Sequence, residues 1–274
     1  MNYQMKPPLG SLPNYGHILC PSSGLWLMNE GSGNTVQDLS GNGNTGTLQA
    51  DTHFVPGKFG SALDFDGTGD YVTIALHEPP YKSVVVWAYL VNDTAEQQIF
   101  SWTTGGGVVC RVGIGIDPVN GIGGVIYTGF NANYEGRITA FVSGWHQIAL
   151  TWDGLDNDTI AVYLDGVPLP SVQQLLGLSG TNGTAIGSDP VGGDPFTGIV
   201  DHAYAYNRIL SASEITLLYR EPFCMFIDDM PVAMMYSYGA APAPTSQVIL
   251  IQMSVVPVVF FAGSLFYLNR KKAA

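Results

Sequence analysis

The sequence predicts an all-β protein, on the strength of its composition and its apolar periodicity. Only 12% of the 274 residues are charged, while 46% are apolar and the chain contains 34 glycines and 17 prolines. Such a composition is typical of short strands joined by tight turns, and it argues against a coiled coil or a charge-rich disordered chain. Between Leu25 and Leu218 the apolar residues mostly alternate, and Gly, Asn or Asp interrupts them about every 8–12 residues. We therefore expect a β-sandwich or a β-barrel.

Six segments carry the clearest strand signals. In the first, Leu63 and Phe65 share one face, and in the fourth Ile148 and Leu150 do so. The third is apolar almost throughout, which predicts a strand in the middle of a sheet. The predicted strands are Ser61–Phe65, Tyr71–Ile74, Lys82–Val91, His146–Trp152, Thr159–Leu164 and Ile199–Tyr206.

One short helix is predicted after the last of these strands. Ser211 and Glu214 match a capping box, in which the serine caps the first turn and the glutamate reaches back to the cap residue. The helix is expected to end near Arg220, because Pro222 disfavours helical backbone in the residue before it. Its apolar residues are Ile215, Leu217 and Leu218.

Four segments, in the same order, resemble motifs of the laminin-G-like domains, which have the concanavalin-A-like jelly-roll fold. The resemblance implies a two-sheet antiparallel jelly-roll sandwich over residues 21–225, preceded by an N-terminal extension at 1–20. It departs from the family at Asp201, which is followed by His202 where a second acidic residue is common, so a role that depends on that acid is not carried over. The four segments are Gly24–Leu48, Gly57–Val72, Gly144–Val167 and Gly198–Ile215.

The C-terminal part of the chain has a different pattern. Residues 226–247 contain Pro242 and Pro244 and are interpreted as a linker. Val248–Leu268 is uncharged over 21 residues and is followed by the basic tail 270–274. As a helix it would be about 30 Å long, which matches the hydrocarbon core of a bilayer, so we predict a single transmembrane-type helix over 248–269. The alternative is a buried helix or strand pair inside an oligomer.

The charge distribution bears on location. All 22 acidic residues and seven of the ten basic residues precede residue 248, so the body carries about −15 and the C-terminal part +3. The positive-inside rule favours a cytoplasmic C-terminus and an extracellular or cell-surface body. The first 20 residues do not match a secretory signal peptide. Four interpretations of its location are therefore left: export by another route, a different native start, a cytoplasmic body behind a tail anchor, or a place in a virion.

A structural calcium ion is the metal site that the residues favour. Ca²⁺ takes six to eight oxygen ligands, which glycine-rich loops with Asp, Asn and Glu can supply. The segment 29–44 contains Glu30, Asp38 and Asn44, and the family resemblance suggests that Asp201 on the last strand approaches this loop. Capping of turns by Asp38 and the asparagines is the alternative. Two further acidic groups, at 64–70 and 153–158, are interpreted as solvated turn residues or as rim calcium sites.

No enzyme signature is found among the acidic and nucleophilic residues. A glycosidase needs two facing carboxylates, and none of the six glutamates lies in such a pattern. The net charge of −12 disfavours nucleic acid as a partner. Trp102, beside a run of three glycines, is a candidate sugar-stacking platform. Its alternative is a core position, as expected for the other tryptophans.

Two functions follow from these observations. The first is a non-catalytic module that binds carbohydrate or a surface protein for adhesion and is anchored to a membrane through Val248–Leu268. The second is a structural subunit of a phage particle, fibre or surface layer, in which the apolar segment packs against other copies as a homo-oligomer. Both rest on fold analogy, and neither identifies the ligand.

Overall fold

A computed structural model describes residues 5–74, 82–91, 97–104, 109–115, 125–130, 133–135, 142–151, 161–169, 181–190 and 192–229. All of them belong to one of the two units into which the chain divides, Asn2–Asp229. Within the described residues the regular secondary structure is mostly β, as predicted. The strands are β1 (Gly24–Trp26), β2 (Thr35–Val36), β3 (Gly46–Gln49), β4 (His53–Pro56), β5 (Ser61–Asp66), β6 (Tyr71–Ile74), β7 (Ser83–Leu90), β8 (Gln97–Thr104), β9 (Val109–Gly115), β10 (Val125–Phe130), β11 (Asn133–Glu135), β12 (Gly144–Thr151), β13 (Ala161–Leu164), β14 (Val167–Pro168), β15 (Thr181–Ile186) and β16 (Thr197–Tyr206).

The strands form two antiparallel sheets. The first sheet has the order β14-β13-β12-β7-β16-β5-β4, and β1 pairs with β16 beside this path. The second sheet has the order β11-β10-β9-β8-β15-β6-β3-β2. Strands β12 and β13 pair, with Ile148 opposite Leu164 and Leu150 opposite Val162. The pairing of β1 with β16 brings the first and last strands together, as the family resemblance implied.

The main core lies between the two sheets. It includes Leu63 and Phe65 of β5 from the first sheet and Phe100 and Trp102 of β8 from the second. Alternation along each strand directs these side chains inward, so that the sequence pattern becomes one continuous apolar layer.

A second apolar cluster covers the outer face of the first sheet. There Val85 and Trp87 of β7 pack with Leu19 of the N-terminal segment, Leu218 and Phe223. Strand β7 is therefore buried on both faces, which explains its nearly continuous apolar sequence. Its position between β12 and β16 confirms the prediction of a strand in mid-sheet.

The predicted helix is present as α1 (Ala212–Arg220). Its capping box is complete, because the Ser211 hydroxyl accepts the N–H of Glu214 and the Glu214 carboxylate accepts the N–H of Ser211. Ile215 and Leu218 are buried, whereas Leu217, expected on the apolar face, is 39% exposed. A 3₁₀ helix, Cys224–Asp229, follows α1.

The predicted transmembrane segment Val248–Leu268 lies outside the described residues. Within the part of the chain that the structure describes, no helix is long and apolar enough to cross a bilayer.

Candidate functional site

A buried ion pair joins the N-terminal segment to the last strand. Asp201 lies at a β-bulge of β16, between the residues that pair with Ala88 and Trp87 of β7. The Lys6 ammonium group donates to the Asp201 carboxylate at 2.9 Å and to the Asp201 carbonyl at 2.7 Å, and it also donates to the Ser61 carbonyl. The side chains of Lys6 and Asp201 are 4% and 0% exposed. The pair therefore lies in the protein interior, where an unpaired charge is costly.

The Asp201 carboxylate accepts two further hydrogen bonds. The backbone N–H of Phe59 donates to one oxygen at 3.0 Å, and Nδ1 of the buried His202 lies 2.8 Å from the other. Because a carboxylate only accepts, this Nδ1 carries the hydrogen. Asp201 therefore connects the N-terminal segment, the β4–β5 loop and its own strand.

The charge states of this centre follow from its environment. Burial raises the pKa of Asp201, but the hydrogen bond from His202 and the charge of Lys6 outweigh burial and hold that pKa below its usual range. Burial lowers the pKa of Lys6 against the opposing effect of Asp201 and Glu30. Burial likewise lowers the pKa of His202, which stays neutral. The centre therefore consists of one cation, one anion and a neutral imidazole.

The ligand set predicted for calcium does not form a cation cage. Asp201 and Glu30 both act to raise the pKa of Lys6. The cation that pairs with the Asp201 carboxylate is the Lys6 ammonium group, 2.9 Å away. Glu30 accepts the N–H of Gln37 through Oε1, and its Oε2 is buried without a hydrogen-bond partner among the described residues.

Asp38 organises a turn, which is the alternative given for it above. One of its oxygens accepts the N–H groups of Leu25 at 3.0 Å and Ser40 at 2.8 Å. The other accepts the Ser40 hydroxyl at 2.8 Å and the N–H of Asn44 at 2.9 Å. The Asn44 side chain donates to the Ser23 carbonyl at 2.9 Å. These bonds fasten the loop to β1 and engage Asp38 fully.

A different group of acids has the geometry of a metal site. Carboxylate oxygens of Asp51, Asp66 and Asp70 all lie within 4.8 Å of one another, where the β3–β4 and β5–β6 turns meet. Asp70 is buried and accepts the N–H groups of Asp51 and Asp66, each at 3.1 Å. Burial raises the pKa of Asp70, and the neighbouring carboxyl groups raise it further against the effect of the Asp66 N–H. Three clustered carboxyl groups of this kind could hold a metal ion.

The sequence identified only part of this group. Asp66 and Asp70 belong to the acidic run at 64–70, but Asp64 is not a member. Asp51 comes from a separate turn and joins the group only because β3 pairs with β6 and β4 with β5. Proximity created by strand pairing across a turn is not visible in local spacing.

Trp102 is a core residue, so its interpretation as an exposed sugar-stacking platform is wrong. It is 1% exposed and packs edge-on against Phe100, with ring centroids 6.0 Å apart. Strand β8 continues through Thr104, so the alternation that points Phe100 inward also points Trp102 inward. The nearby glycines suggested a loop, whereas the alternation from residue 100 onward indicated the core.

The outer face of the second sheet carries a row of hydroxyl-bearing residues. Thr35 of β2 pairs with Thr47 of β3, which pairs with Thr73 of β6. Thr35 and Thr47 are exposed and Thr73 is half-buried, while the residues next to them point into the core. Beyond Thr73 the register passes to Ala185 of β15 and Ser101 of β8, both of which are buried. The exposed end of the row, Thr35 and Thr47, therefore offers hydroxyl groups to solvent.

Two facing antiparallel sheets with a helix-covered outer face define a lectin-type jelly roll. A family model described as the concanavalin A-like lectin/glucanases superfamily matches residues 66–216, and the chain belongs to this family. Among curated proteins, no sequence similar to this chain was found.

Solved structures show the same fold at low sequence identity. Domain 4 of an extracellular arabinanase from Geobacillus stearothermophilus, in complex with arabinotriose, aligns with a TM-score of 0.56 and 19% identity over 72% of this chain and 97% of that domain. Trypanosoma rangeli sialidase with sialic acid aligns with a TM-score of 0.55 and 18% identity over 75% of this chain. The binding domain of botulinum neurotoxin DC, in complex with rat synaptotagmin II, aligns at 0.54 and 16% over 71%. The match spans 34% of the sialidase and 50% of the toxin domain, so it concerns a part of each.

Proposed function

We propose that this protein is a non-catalytic carbohydrate-binding module. The family match over residues 66–216 supports the carbohydrate-binding part of the proposal, because the family is described as concanavalin A-like lectins and glucanases. The arabinanase domain, which this chain covers almost end to end, is in complex with a trisaccharide. A protein ligand is the second candidate, since the toxin domain of similar fold is in complex with synaptotagmin II. Both ligand classes are carried by analogy of fold.

The surface best suited to this role is the exposed threonine row, Thr35, Thr47 and Thr73. Where it is described, the outer face of the first sheet is covered by the N-terminal segment, α1 and residues 223–226, and it offers no comparable surface. Hydroxyl groups supply both hydrogen-bond donors and acceptors, which suit sugar hydroxyls. We assign the carbohydrate to this row and the adjoining turns.

The environments of several carboxyl groups support a non-catalytic role. Asp201 is neutralised by Lys6, and Glu214 caps α1. Asp38 is engaged by turn N–H groups, and Asp165 binds the N–H of Gln147 and Nδ1 of His146. Each of these groups has a structural partner, whereas a glycosidase needs two carboxyl groups free to act on the scissile bond.

Blocking the threonine row tests the carbohydrate proposal. The full chain, in mild detergent, should bind a subset of an oligosaccharide array that includes arabinotriose. Thr47→Arg should weaken that binding about tenfold or more, because the longer charged side chain would cover the neighbouring hydroxyl groups. The same samples should release no reducing sugar.

Val167→Arg is the matched control, since Val167 is 60% exposed on the edge of the first sheet. Equal binding by wild type and both variants would contradict the assigned surface. Turnover of any array sugar would contradict the non-catalytic role.

Calcium is the metal we propose for the acidic trio Asp51, Asp66 and Asp70. All three supply oxygen ligands, and Ca²⁺ is a hard cation that accepts an irregular oxygen shell. A bound cation would also offset the repulsion among the three carboxyl groups. In the absence of metal, the raised pKa of Asp70 means that its contribution to stability is complete below its unfolded pKa and is lost as pH rises through the folded pKa.

Asp51→Asn should therefore remove the calcium response without lowering metal-free stability. The wild-type melting temperature should rise with calcium and fall with chelator, since a ligand that binds only the folded state stabilises it. The variant lacks one ligand and one repulsive charge, so it should melt at or above the metal-free wild type and respond little to calcium. Differential scanning calorimetry measures both. Asp64→Asn is the control: Asp64 lies on β5, as Asp66 does, but outside the trio, so this variant should keep the response of the melting temperature to calcium. A wild-type melting temperature that calcium does not change would contradict a bound ion.

We further propose that Val248–Leu268 anchors the module in a membrane. Its 21 uncharged residues and the basic tail support this assignment. The alternative to a membrane-anchored module is a structural subunit of a phage particle, fibre or surface layer. Assembly of the full chain into large particles without detergent would favour that alternative.

A further inference from the structure

The N-terminal segment, residues 5–20, concentrates exposed apolar side chains. Ten large hydrophobic side chains are exposed among the described residues, and five of them lie between residues 5 and 18. Single exposed hydrophobic residues are normal on a protein surface, but a cluster of them indicates an interaction surface. The five, which we call the N-terminal apolar surface, are Met5 (63% exposed), Leu9 (63%), Leu12 (57%), Tyr15 (56%) and Ile18 (72%).

Buried residues of the same segment hold this surface in place. Pro7, Pro13 and Leu19 are buried, and the apolar residues between them point to solvent. The Lys6–Asp201 ion pair fixes one end, and the hydroxyl of Tyr206 donates to the Leu19 carbonyl at 3.0 Å near the other. The surface is thus a fixed part of the folded body.

Its backbone is suited to an environment poor in water. Three of its residues are prolines, which have no N–H, and seven N–H groups of residues 6–20 already donate within the protein. Examples are Ser11 to the Pro8 carbonyl, His17 and Cys20 through successive turns, and Asn14 to the Met225 carbonyl at 2.9 Å. These seven donors would keep their hydrogen bonds on entering an interface. The segment also has no carboxylate, because Glu30 is the first acidic residue of the chain.

The surface lies beside the point where the chain continues toward its apolar segment. Asn14 is bonded to Met225, and the described chain ends at Asp229. Only 18 residues separate Asp229 from Val248. A flexible linker of that length has a root-mean-square span of roughly 25 Å. If Val248–Leu268 is in a bilayer, this side of the body is held near the lipid surface.

We propose that the N-terminal apolar surface docks on the lipid headgroup region of the membrane that holds the C-terminal segment. This inference rests on the proposed membrane anchor. Turn-borne side chains such as Leu9, Leu12 and Ile18 can be buried in a fluid interface without a complementary partner surface, and Tyr15 is a residue type enriched at that depth. A second copy would instead need a matching rigid surface of about 800 Å².

Docking would set the orientation of the module. The N-terminal segment covers the outer face of the first sheet, through Leu19. The membrane would then lie on the side of the first sheet. The threonine row of the second sheet would face away from it, toward a carbohydrate on another surface.

The test uses the full chain in phosphatidylcholine vesicles and a tryptophan introduced at the surface. In Ile18→Trp, the emission added over wild type should shift to shorter wavelength and lose about half its intensity when brominated lipids replace ordinary ones, because the side chain lies within ~10 Å of the acyl boundary. Leu12→Trp should behave alike and serves if the first variant folds poorly. Thr35→Trp, exposed on the second sheet, which would face away from the membrane, should give unquenched added emission.

The outcomes separate the docking surface from the anchor. Flotation of the wild type with the vesicles tests membrane association. If the protein floats but residues 12 and 18 are not quenched, the docking surface is overturned and the anchor stands. Equal quenching at residue 35 would also overturn the docking surface, as would dimerisation in detergent that Ile18→Ser abolishes. Failure to float would overturn the anchor and the docking surface together.

Discussion

Lys6→Met should lower the free energy of unfolding by about 3–5 kcal/mol. The substitution keeps the aliphatic stem but removes the ammonium group, and Asp201 is left as a buried carboxylate with no cationic partner. Urea unfolding followed by tryptophan fluorescence measures the loss. The double variant Lys6→Met/Asp201→Asn should recover part of it, because no buried charge then remains unpaired.

The pH dependence distinguishes this mechanism from lost packing. The folded pKa of Asp201 is lowered in the wild type, so its stabilising contribution is present above the unfolded pKa and is lost as pH falls through the folded pKa. Without Lys6 the pKa of Asp201 would be higher than in the wild type, because burial would then be opposed only by His202, and protonation would relieve the variant at a higher pH. The stability gap between wild type and Lys6→Met should therefore narrow toward pH 4. A gap independent of pH would contradict the ion-pair mechanism.

Lys58→Met is the matched control. The Lys58 ammonium group is exposed and lies 4.8 Å from the Trp87 ring centroid, an arrangement worth about 0.5–1 kcal/mol. A loss at Lys58 as large as that at Lys6 would show that removal of any lysine is sufficient. The comparison thus isolates burial of the charge as the cause.

The strand pattern and the helix were predictable because their signals are local. Alternation at Leu63 and Phe65, the apolar run of β7 and the capping box at Ser211 each concern residues within one element. Strands β12 and β13, which pair, were each predicted from the alternation in their own sequence. These local predictions agree with the fold because burial of apolar side chains and backbone hydrogen bonding follow the same strand or helix periodicity.

The contents of the candidate sites were less predictable because they depend on residues far apart in the chain. Lys6 and Asp201 are 195 positions apart, and their contact requires the N-terminal segment to cross the first sheet. One signal was available, since Lys6 is the only lysine or arginine before Lys58. The family resemblance suggested Asp201 as a member of a set of calcium ligands, whereas in the structure its carboxylate pairs with the Lys6 ammonium group.

Trp102→Ala should lower the free energy of unfolding by about 3–5 kcal/mol. The substitution leaves a large cavity between the sheets, where Trp102 packs against Phe100. Trp102→Phe retains part of the volume and should cost less. Urea unfolding of the three proteins gives the order wild type, Phe, Ala in decreasing stability. An exposed sugar platform would produce the opposite result, with lost binding and nearly unchanged stability.

Trp145→Ala provides the control for loss of any tryptophan. Trp145 is half-buried at the start of β12 and contacts Tyr89 edge-on at 5.6 Å, so it has less packing to lose. Its substitution should therefore cost less than that of Trp102, because the surrounding solvent can fill the space. Carbohydrate binding by Trp102→Phe should persist at its reduced stability, since the residue lies under the sheet that bears the threonine row. If Trp102→Phe lost carbohydrate binding but kept the full stability of the wild type, Trp102 would have to be assigned to the ligand surface.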